Sequence, residues 1–209
     1  MKRVSLPAGA AAHWLAALPA AAGPSRPLTD LPLDPAEVLA CVAASPVAAD
    51  LEAALGASPW CNLAQSWLRH GRPPHSWHQD GALRHDFLAH AGRPAPADAA
   101  LEMRTLWIAL TPCGIDAPGL QWVDADLASL LPPAELTDQA VATRFEATRL
   151  RRAALGAGQA LLFDGLQLHR THLTPDMSGP RSSLELRFFR AGTLPARVAR
   201  DAGRRLRDA

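Results

Sequence analysis

The sequence predicts a mainly β domain with flanking helices, either a β-sandwich or a jelly roll. Capped helical segments occupy the first sixty residues, whereas short apolar runs bounded by Gly, Pro and Asp follow from Trp60 onward. Helices at the front and several short strands behind them favour two packed layers around one hydrophobic core. A chain of 209 residues can bury one such core, so we expect a single domain over 1–209. Within it we expect a mostly helical N-terminal segment over 1–59, a jelly-roll core over 60–192 and a basic tail over 193–209.

The predicted helices are marked by their ends. Residues 34–37, Asp-Pro-Ala-Glu, combine an N-cap, a proline at the first helical position and a capping-box acid. Ser45-Pro46 predicts a break, after which a second helical piece over 47–55 ends at Gly56, a residue suited to a left-handed conformation. In the tail after Pro195, arginines recur, and we expect a solvated helical face there rather than a nucleic-acid patch.

Four short apolar runs predict strands, and they cover residues 106–110, 120–123, 160–163 and 184–189. A further strand-like run covers residues 62–69. Along the last strand, Arg181, Ser183, Glu185 and Arg187 share one face, and apolar side chains dominate the other. We expect the polar face to line the mouth of a barrel while the apolar face meets the N-terminal helices. An ordinary sandwich strand, with its polar face in water, is the alternative.

Composition excludes several classes of protein. With 21 Lys and Arg against 20 Asp and Glu, the net charge of +1 offers no field for nucleic acid or an anionic membrane. Three separated cysteines without a C-x-x-C pair argue against disulfides and structural zinc, and favour a reducing compartment. The Ala-rich N-terminus resembles a secretory signal but is interrupted by Pro7, and no apolar run approaches the ~18 residues of a membrane span. We therefore expect a soluble, cytoplasmic protein acting on a small molecule.

The segment 74–81 places His78 and Asp80 one residue apart. In a strand, alternate side chains share a face, so both can reach one ion, although such a pair alone is weak evidence for a metal site. A second segment, Leu-His-Arg-Thr-His at residues 168–172, offers His169 or His172 as a third ligand. Two histidines and a carboxylate on one face of an octahedral ion leave three positions open, an arrangement typical of ferrous oxygenases.

Residues further along the chain suggest what fills the open positions. A bidentate 2-oxo acid can take two of them and dioxygen the third, but the far carboxylate of that acid then needs a fixed cation. Arg181 offers a two-pronged donor for it, and Ser183 on the same strand face adds a hydroxyl. The sequence therefore predicts both a metal centre and an anchor for an acidic co-substrate.

These segments resemble the phytanoyl-CoA dioxygenase family of the iron(II)/2-oxoglutarate-dependent oxygenase superfamily. The resemblance covers roughly residues 65–189. It rests on Trp-His-Gln-Asp at 77–80, on the apolar run 106–110 followed by Pro-Gly-Leu at 118–120, and on residues 163–189. Residues 121–124, Gln-Trp-Val-Asp, depart from the family's usual Pro-Gly-Ser-His in the loop after Leu120.

The resemblance implies a double-stranded β-helix, a cupin-like jelly roll buttressed by the N-terminal helices. It implies His78, Asp80 and His169 as catalytic iron ligands, Arg181 as the 2-oxoglutarate anchor, and Gln65 as a polar residue reaching the co-substrate. His172 is then a neighbouring or surface residue.

The activity implied is hydroxylation of an unactivated C–H bond in a small metabolite or natural-product intermediate, with release of succinate and CO2. Fe(II), 2-oxoglutarate and O2 are the implied cofactors. Related halogenases lack the carboxylate ligand, so Asp80 favours oxygen chemistry. Two alternatives stay open: a jelly-roll module that binds a ligand without catalysis, and a metal-dependent hydrolase using the same ligands. The sequence does not indicate the substrate or the oligomeric state.

Other polar and aromatic residues receive simpler interpretations. We expect Gln79 to make a structural hydrogen bond, and Trp107 and Trp122 to be core aromatics. Solvated loop histidines without an assigned role are expected at His75, His85 and His90. Substrate selectivity is expected in loops over residues 84–98 and 130–152.

Overall fold

The computed structural model describes residues 1–18, 25–83, 102–193, 200 and 202–207. The helices are α1 (Ala10–Ala17), α2 (Pro35–Ala43), α3 (Val47–Leu55) and α4 (Asp138–Arg144). The strands are β1 (Lys2–Ser5), β2 (Ser25–Pro27), β3 (Trp60–Asn62), β4 (Trp67–Gly71), β5 (Met103–Ala109), β6 (Gly119–Val123), β7 (Leu150–Arg152), β8 (Gln159–Asp164), β9 (His169–His172), β10 (Arg181–Phe189) and β11 (Gly203–Arg205).

The described strands form two antiparallel sheets. The larger sheet has eight strands, with the order β1-β8-β5-β10-β3-β11, while β4 pairs with both β10 and β2. The smaller sheet has three strands in the order β7-β6-β9. All four predicted apolar runs lie in strands except for Leu110, which follows β5, and the predicted mainly β class with flanking helices is confirmed.

The predicted ends of α2 and α3 are confirmed. The carboxylate of Asp34 accepts a hydrogen bond from the Ala36 amide at 2.9 Å, and Pro35 occupies the first helical turn. The helix ends before Pro46, and α3 then ends at Gly56, whose φ of 85° suits a residue without a Cβ. Both helices share a hydrophobic core with the larger sheet.

Strand β10 has two faces of opposite character. Leu184, Leu186 and Phe188 are fully buried in the core that also contains α2 and α3, and each such side chain contributes about 1.5–3 kcal/mol by leaving water. The other face, which begins at Arg181 and includes Ser183, points toward the smaller sheet and is also buried. The sandwich alternative, with this polar face in water, is wrong.

A second core joins the two sheets. Trp107 from β5 and Phe163 from β8 pack with Leu120 from β6. Apolar contacts between the inner faces hold sheets face to face. The polar face of β10 therefore lies in the space between the two sheets, where a site can be enclosed.

Two predictions about regular structure are wrong. The predicted strand over 62–69 is interrupted by a 3-10 turn, Leu63–Gln65, where the Asn62 side chain accepts a hydrogen bond from the Gln65 amide at 3.3 Å. The predicted helical tail is wrong for Gly203–Arg205, which pair with β3 as a strand beside the fully buried Leu206, whereas residues 200 and 202 are helical.

The two expected selectivity loops have different outcomes. Residues 130–152 contain α4 and β7 rather than one loop. Residues 84–98, together with His85 and His90, lie outside the described residues.

No single helix among the described residues is long and apolar enough to cross a membrane, although α2 and α3 pass that test as a pair bent by 92°. The three cysteines are free, as predicted.

Candidate metal centre

The two histidine segments meet as neighbouring extended chains. The His78 amide donates to the His169 carbonyl at 2.9 Å, and the His169 amide donates to the His78 carbonyl at 3.0 Å. Gln79 fixes the loop, since its Nε2 donates to the Leu166 carbonyl at 2.8 Å and its Oε1 accepts from the Leu131 amide at 2.7 Å. The predicted structural role of Gln79 is confirmed.

This pairing brings His78, Asp80 and His169 together. Their ligand atoms all lie within 4.8 Å of one another, and His78 Nε2 is 3.6 Å from Asp80 Oδ1. Asp80 and His169 are only 2% and 4% exposed. Among the described residues, this is a group of side chains suited to hold a metal ion. His172 is not part of it, so the geometry favours His169 as the distal ligand.

Hydrogen bonds determine which nitrogen of each histidine can bind a metal. His78 Nδ1 lies 2.7 Å from the Ser76 carbonyl, and His169 Nδ1 lies 2.8 Å from the Gln167 carbonyl. A carbonyl oxygen only accepts, so each Nδ1 carries the proton and each Nε2 keeps a free lone pair. Burial, with the nearby His169, lowers the pKa of His78 to about 4, so its imidazole is neutral near neutral pH. Both rings thus turn Nδ1 to a backbone carbonyl and leave Nε2 available as a ligand.

Asp80 is held by two residues whose contacts with it were not predicted from the sequence. Thr105 Oγ1 donates to Oδ2 at 2.5 Å, while Arg187 donates from Nη2 to Oδ1 at 3.2 Å and from Nε to Oδ2 at 3.4 Å. Burial raises the pKa of Asp80, but the Arg187 guanidinium, His169, His78 and the Thr105 hydrogen bond together outweigh it and hold that pKa well below its usual range. Asp80 is therefore an ionised carboxylate in the interior.

Gln65 lies in the 3-10 turn before β4. Its carbonyl oxygen accepts a hydrogen bond from Arg187 Nη1 at 2.5 Å. Its side chain is not among the groups that line the pocket beside the metal centre. Its predicted contact with a co-substrate stays a prediction.

A cavity of about 100 Å³ adjoins the three clustered side chains. His78 and His169 line one end, and Arg181 and Glu185 from β10 also line it, with Leu120 from the smaller sheet. The cavity therefore lies between the two sheets and connects the candidate metal ligands to the predicted anchor.

The predicted anchor residues are buried and incompletely paired. Arg181 Nη1 donates to the Gly119 carbonyl at 3.2 Å, but Arg181 Nε and Ser183 Oγ are buried without a hydrogen-bond partner. The indole Nε1 of Trp107 is also buried without a hydrogen-bond partner, and Arg181 Cζ lies 5.5 Å from the centre of the Trp107 ring. An unpaired buried donor costs about 1–3 kcal/mol. Three such groups on one face of the β5–β10 pair suit a carboxylate, which can accept from all of them.

The charges around the cavity favour an anion. Arg69, Arg181 and Arg187 face Asp80 and Glu185, which leaves one net positive charge before any metal binds. Burial raises the pKa of Glu185, but Arg187 and Arg69 outweigh it, so that pKa lies below its usual value and Glu185 is ionised. A divalent ion would increase the positive excess, which a dianionic ligand would then reduce.

His75 contributes more than the solvated loop residue expected from the sequence. It is exposed, yet it lines the cavity, and its Nδ1 lies 3.0 Å from His78 Nδ1. The Thr171 amide donates to the His75 carbonyl at 3.0 Å, which sets this register. No local sequence signal indicates such a pairing between distant segments.

Comparisons with known proteins agree with this architecture. No protein-family model and no curated protein sequence matches the chain. EctD from S. alaskensis with bound Fe superposes with a TM-score of 0.58 at 15% identity, covering 75% of this chain and 53% of that one. This chain thus spans about half the length of EctD.

Two further structures come from nogalamycin biosynthesis. The epimerase SnoN, in complex with Fe3+, alpha ketoglutarate and nogalamycin RO, gives a TM-score of 0.58 at 14% identity, over 90% of this chain and 78% of that one. The non-heme alpha ketoglutarate dependent carbocyclase SnoK gives 0.56 at 13% identity, over 95% and 85%. At these identities the likeness concerns the fold alone, and the chain shares its fold with these proteins.

Proposed function

We propose that the chain is an iron(II)- and 2-oxoglutarate-dependent dioxygenase with a double-stranded β-helix fold of the phytanoyl-CoA dioxygenase type. The observation that carries the proposal is the group of His78, Asp80 and His169, in which the Nδ1 of each imidazole faces a backbone carbonyl and Nε2 is left for a metal. Two histidines and one carboxylate are the ligand set of non-haem ferrous oxygenases. The fold shared with EctD, SnoN and SnoK supports the same class.

In this proposal, His78 Nε2, Asp80 and His169 Nε2 hold the metal. Bound Fe(II), with O2 and 2-oxoglutarate, supplies the oxidising power for attack on a C–H bond. The protein itself keeps both histidines in one tautomer and keeps Asp80 ionised through Arg187.

The co-substrate would lie in the cavity between the metal ligands and Arg181. Its distal carboxylate would accept hydrogen bonds from Arg181 Nε, Ser183 Oγ and Trp107 Nε1, the donors that lack partners. This arrangement supports an oxygenase over a hydrolase, because activation of water at a metal gives these three donors no role. A small cavity of about 100 Å³ favours a compact acid in this position.

The reaction we favour is hydroxylation of a small molecule, with succinate and CO2 as co-products. Asp80 supports it, because a halogenase needs a small residue at that position to open a place for a halide. The substrate itself can be found by screening metabolites for release of succinate that depends on both iron and the added compound.

Metal binding tests the ligand assignment directly. His169→Gln should abolish tight binding of Fe(II) under anaerobic equilibrium dialysis, since one of three ligands is lost. His172→Gln is the matched control, because it lies on the same strand, is similarly buried, and is not in the cluster. Equal loss in both variants, or binding retained in His169→Gln, would contradict the assignment.

A further inference from the structure

The two oxygens of Asp80 have different surroundings. Oδ1 lies 3.6 Å from His78 Nε2 and accepts one hydrogen bond, from Arg187 Nη2 at 3.2 Å. Oδ2 accepts two, from Thr105 Oγ1 at 2.5 Å and from Arg187 Nε at 3.4 Å. Oδ1 therefore faces His78 and accepts a single hydrogen bond, whereas Oδ2 accepts two from the protein.

The donors that occupy Oδ2 are themselves fixed. Thr105 on β5 lies opposite Arg187 on β10 in the antiparallel register, so the two side chains emerge from neighbouring strands on the same face. Arg187 is also bound to the Gln65 carbonyl at 2.5 Å and lies 3.5 Å from Glu185 Oε2. Thr105 and Arg187 are 1% and 5% exposed. Water cannot readily replace these contacts.

The number of oxygens that a carboxylate offers decides how many positions remain on a metal. A carboxylate binding through one oxygen, with two histidines, leaves three positions on an octahedral ion. If it binds through both oxygens, only two positions remain. A bidentate 2-oxo acid fills two positions, so the third exists only when the carboxylate uses one oxygen.

We infer that Thr105 and Arg187 are positioning residues that restrict Asp80 to one-oxygen ligation, and so keep a metal position open beside the bound co-substrate. Thr105 holds Oδ2 through a short hydrogen bond, and Arg187 spans both oxygens and keeps the carboxylate plane in place. This inference rests on the proposed function, but concerns different residues from those that bind the co-substrate.

The test uses Thr105→Val, which keeps the side-chain shape and removes the hydroxyl, with Thr105→Ser as the rescue that keeps the hydroxyl. Nitric oxide serves as the probe of the open position, added to the anaerobic Fe(II) and 2-oxoglutarate complex and followed by electron paramagnetic resonance. In Thr105→Val the dissociation constant for nitric oxide should rise about tenfold or more, as expected when a hydrogen bond to a charged group is lost. Thr105→Ser should remain near wild type.

The affinity for the metal separates positioning from structural damage. Freed Oδ2 can join Oδ1 on the ion, so Thr105→Val should bind Mn(II) as tightly as wild type or more tightly, by calorimetry. Arg187→Met, with Arg187→Lys as its conservative partner, tests the second positioning residue by the same two measurements.

Each result has a separate meaning. Unchanged binding of nitric oxide in Thr105→Val would overturn the inference and leave the proposed function intact. A parallel loss of Mn(II) and nitric oxide binding would also overturn it, because that pattern indicates a distorted site. If wild-type protein with Fe(II) does not bind 2-oxoglutarate at all, the proposed function itself fails.

Discussion

Ser183→Ala should make the metal-free protein more stable and its co-substrate binding weaker. Ser183 is completely buried, and its hydroxyl has no hydrogen-bond partner within the protein. Removing an unsatisfied buried hydroxyl relieves a cost, whereas removing one that binds a ligand carboxylate loses an interaction. Stability and affinity should therefore change in opposite senses.

The expected change in stability follows from the burial of the hydroxyl, and the expected change in affinity follows from the charge of the ligand. Loss of the unpaired hydroxyl should raise the free energy of unfolding by about 1–3 kcal/mol. For a chain of this length, each kcal/mol corresponds to about 2–4 °C in Tm. A hydrogen bond to a charged carboxylate contributes about 1.5–3 kcal/mol, so the Kd of 2-oxoglutarate should rise about tenfold or more.

Urea unfolding of metal-free protein gives the stability, and anaerobic titration of Fe(II)-loaded protein with 2-oxoglutarate gives the affinity. Ser66→Ala is the matched control, because Ser66 is equally buried but its Oγ donates to the Asn62 carbonyl at 2.8 Å and accepts from the Arg187 amide at 3.1 Å. That variant should lose about 1–3 kcal/mol of stability. If Ser183→Ala loses as much stability as Ser66→Ala, or binds 2-oxoglutarate as wild type does, the reasoning about unpaired donors is refuted.

Further predictions concern charge and thiol chemistry. The metal-free protein should lose stability as the pH falls from about 6.5 toward 4. Burial lowers the pKa of both His75 and His78 to about 4, so the unfolded chain takes up these two protons first. His78→Gln should therefore make the free energy of unfolding less dependent on pH over this range, as measured by urea titrations at several pH values. Asp80→Asn should cost up to about 3–5 kcal/mol in urea unfolding of metal-free protein, since buried Arg187 then keeps only Glu185 as a carboxylate partner. An unchanged midpoint would contradict the ion pair. Of the three thiols, Cys41 alone should react with a disulfide reagent in the native protein near pH 8. The reason is that burial raises the pKa of Cys61 to about 12 and that of Cys113 to about 11. Rapid reaction of all three thiols before unfolding would contradict the buried positions of Cys61 and Cys113.

Features that depend only on residues close together in the sequence were predicted well. The capped start of α2 at Asp34 and the end of α3 at Gly56 depend on a few neighbouring residues, and both are confirmed. The two faces of β10 follow from simple alternation, which put Arg181 and Ser183 on the buried polar side. The choice of His169 as the third candidate ligand beside His78 and Asp80 depended on the family resemblance. The spacing of the residues alone did not distinguish His169 from His172.

Features that depend on pairing between distant segments were missed. The contact of Thr105 and Arg187 with Asp80 arises from the register of β5 against β10, which alternation within one strand does not specify. The strand at Gly203–Arg205 exists because it pairs with β3, although its arginines favoured a solvated helix. The interruption of residues 62–69 likewise depends on the side chain of Asn62 bonding to its own turn.

The most direct test of the central claim is the visible absorption spectrum of anaerobic protein with Fe(II) before and after addition of 2-oxoglutarate. Chelation of ferrous iron by the 2-oxo acid should produce a charge-transfer band in wild-type protein, and Arg181→Ala should need a much higher concentration of 2-oxoglutarate to reach it, because the buried guanidinium is lost. Absence of the band in wild type, or an unchanged 2-oxoglutarate affinity in Arg181→Ala, would contradict the account.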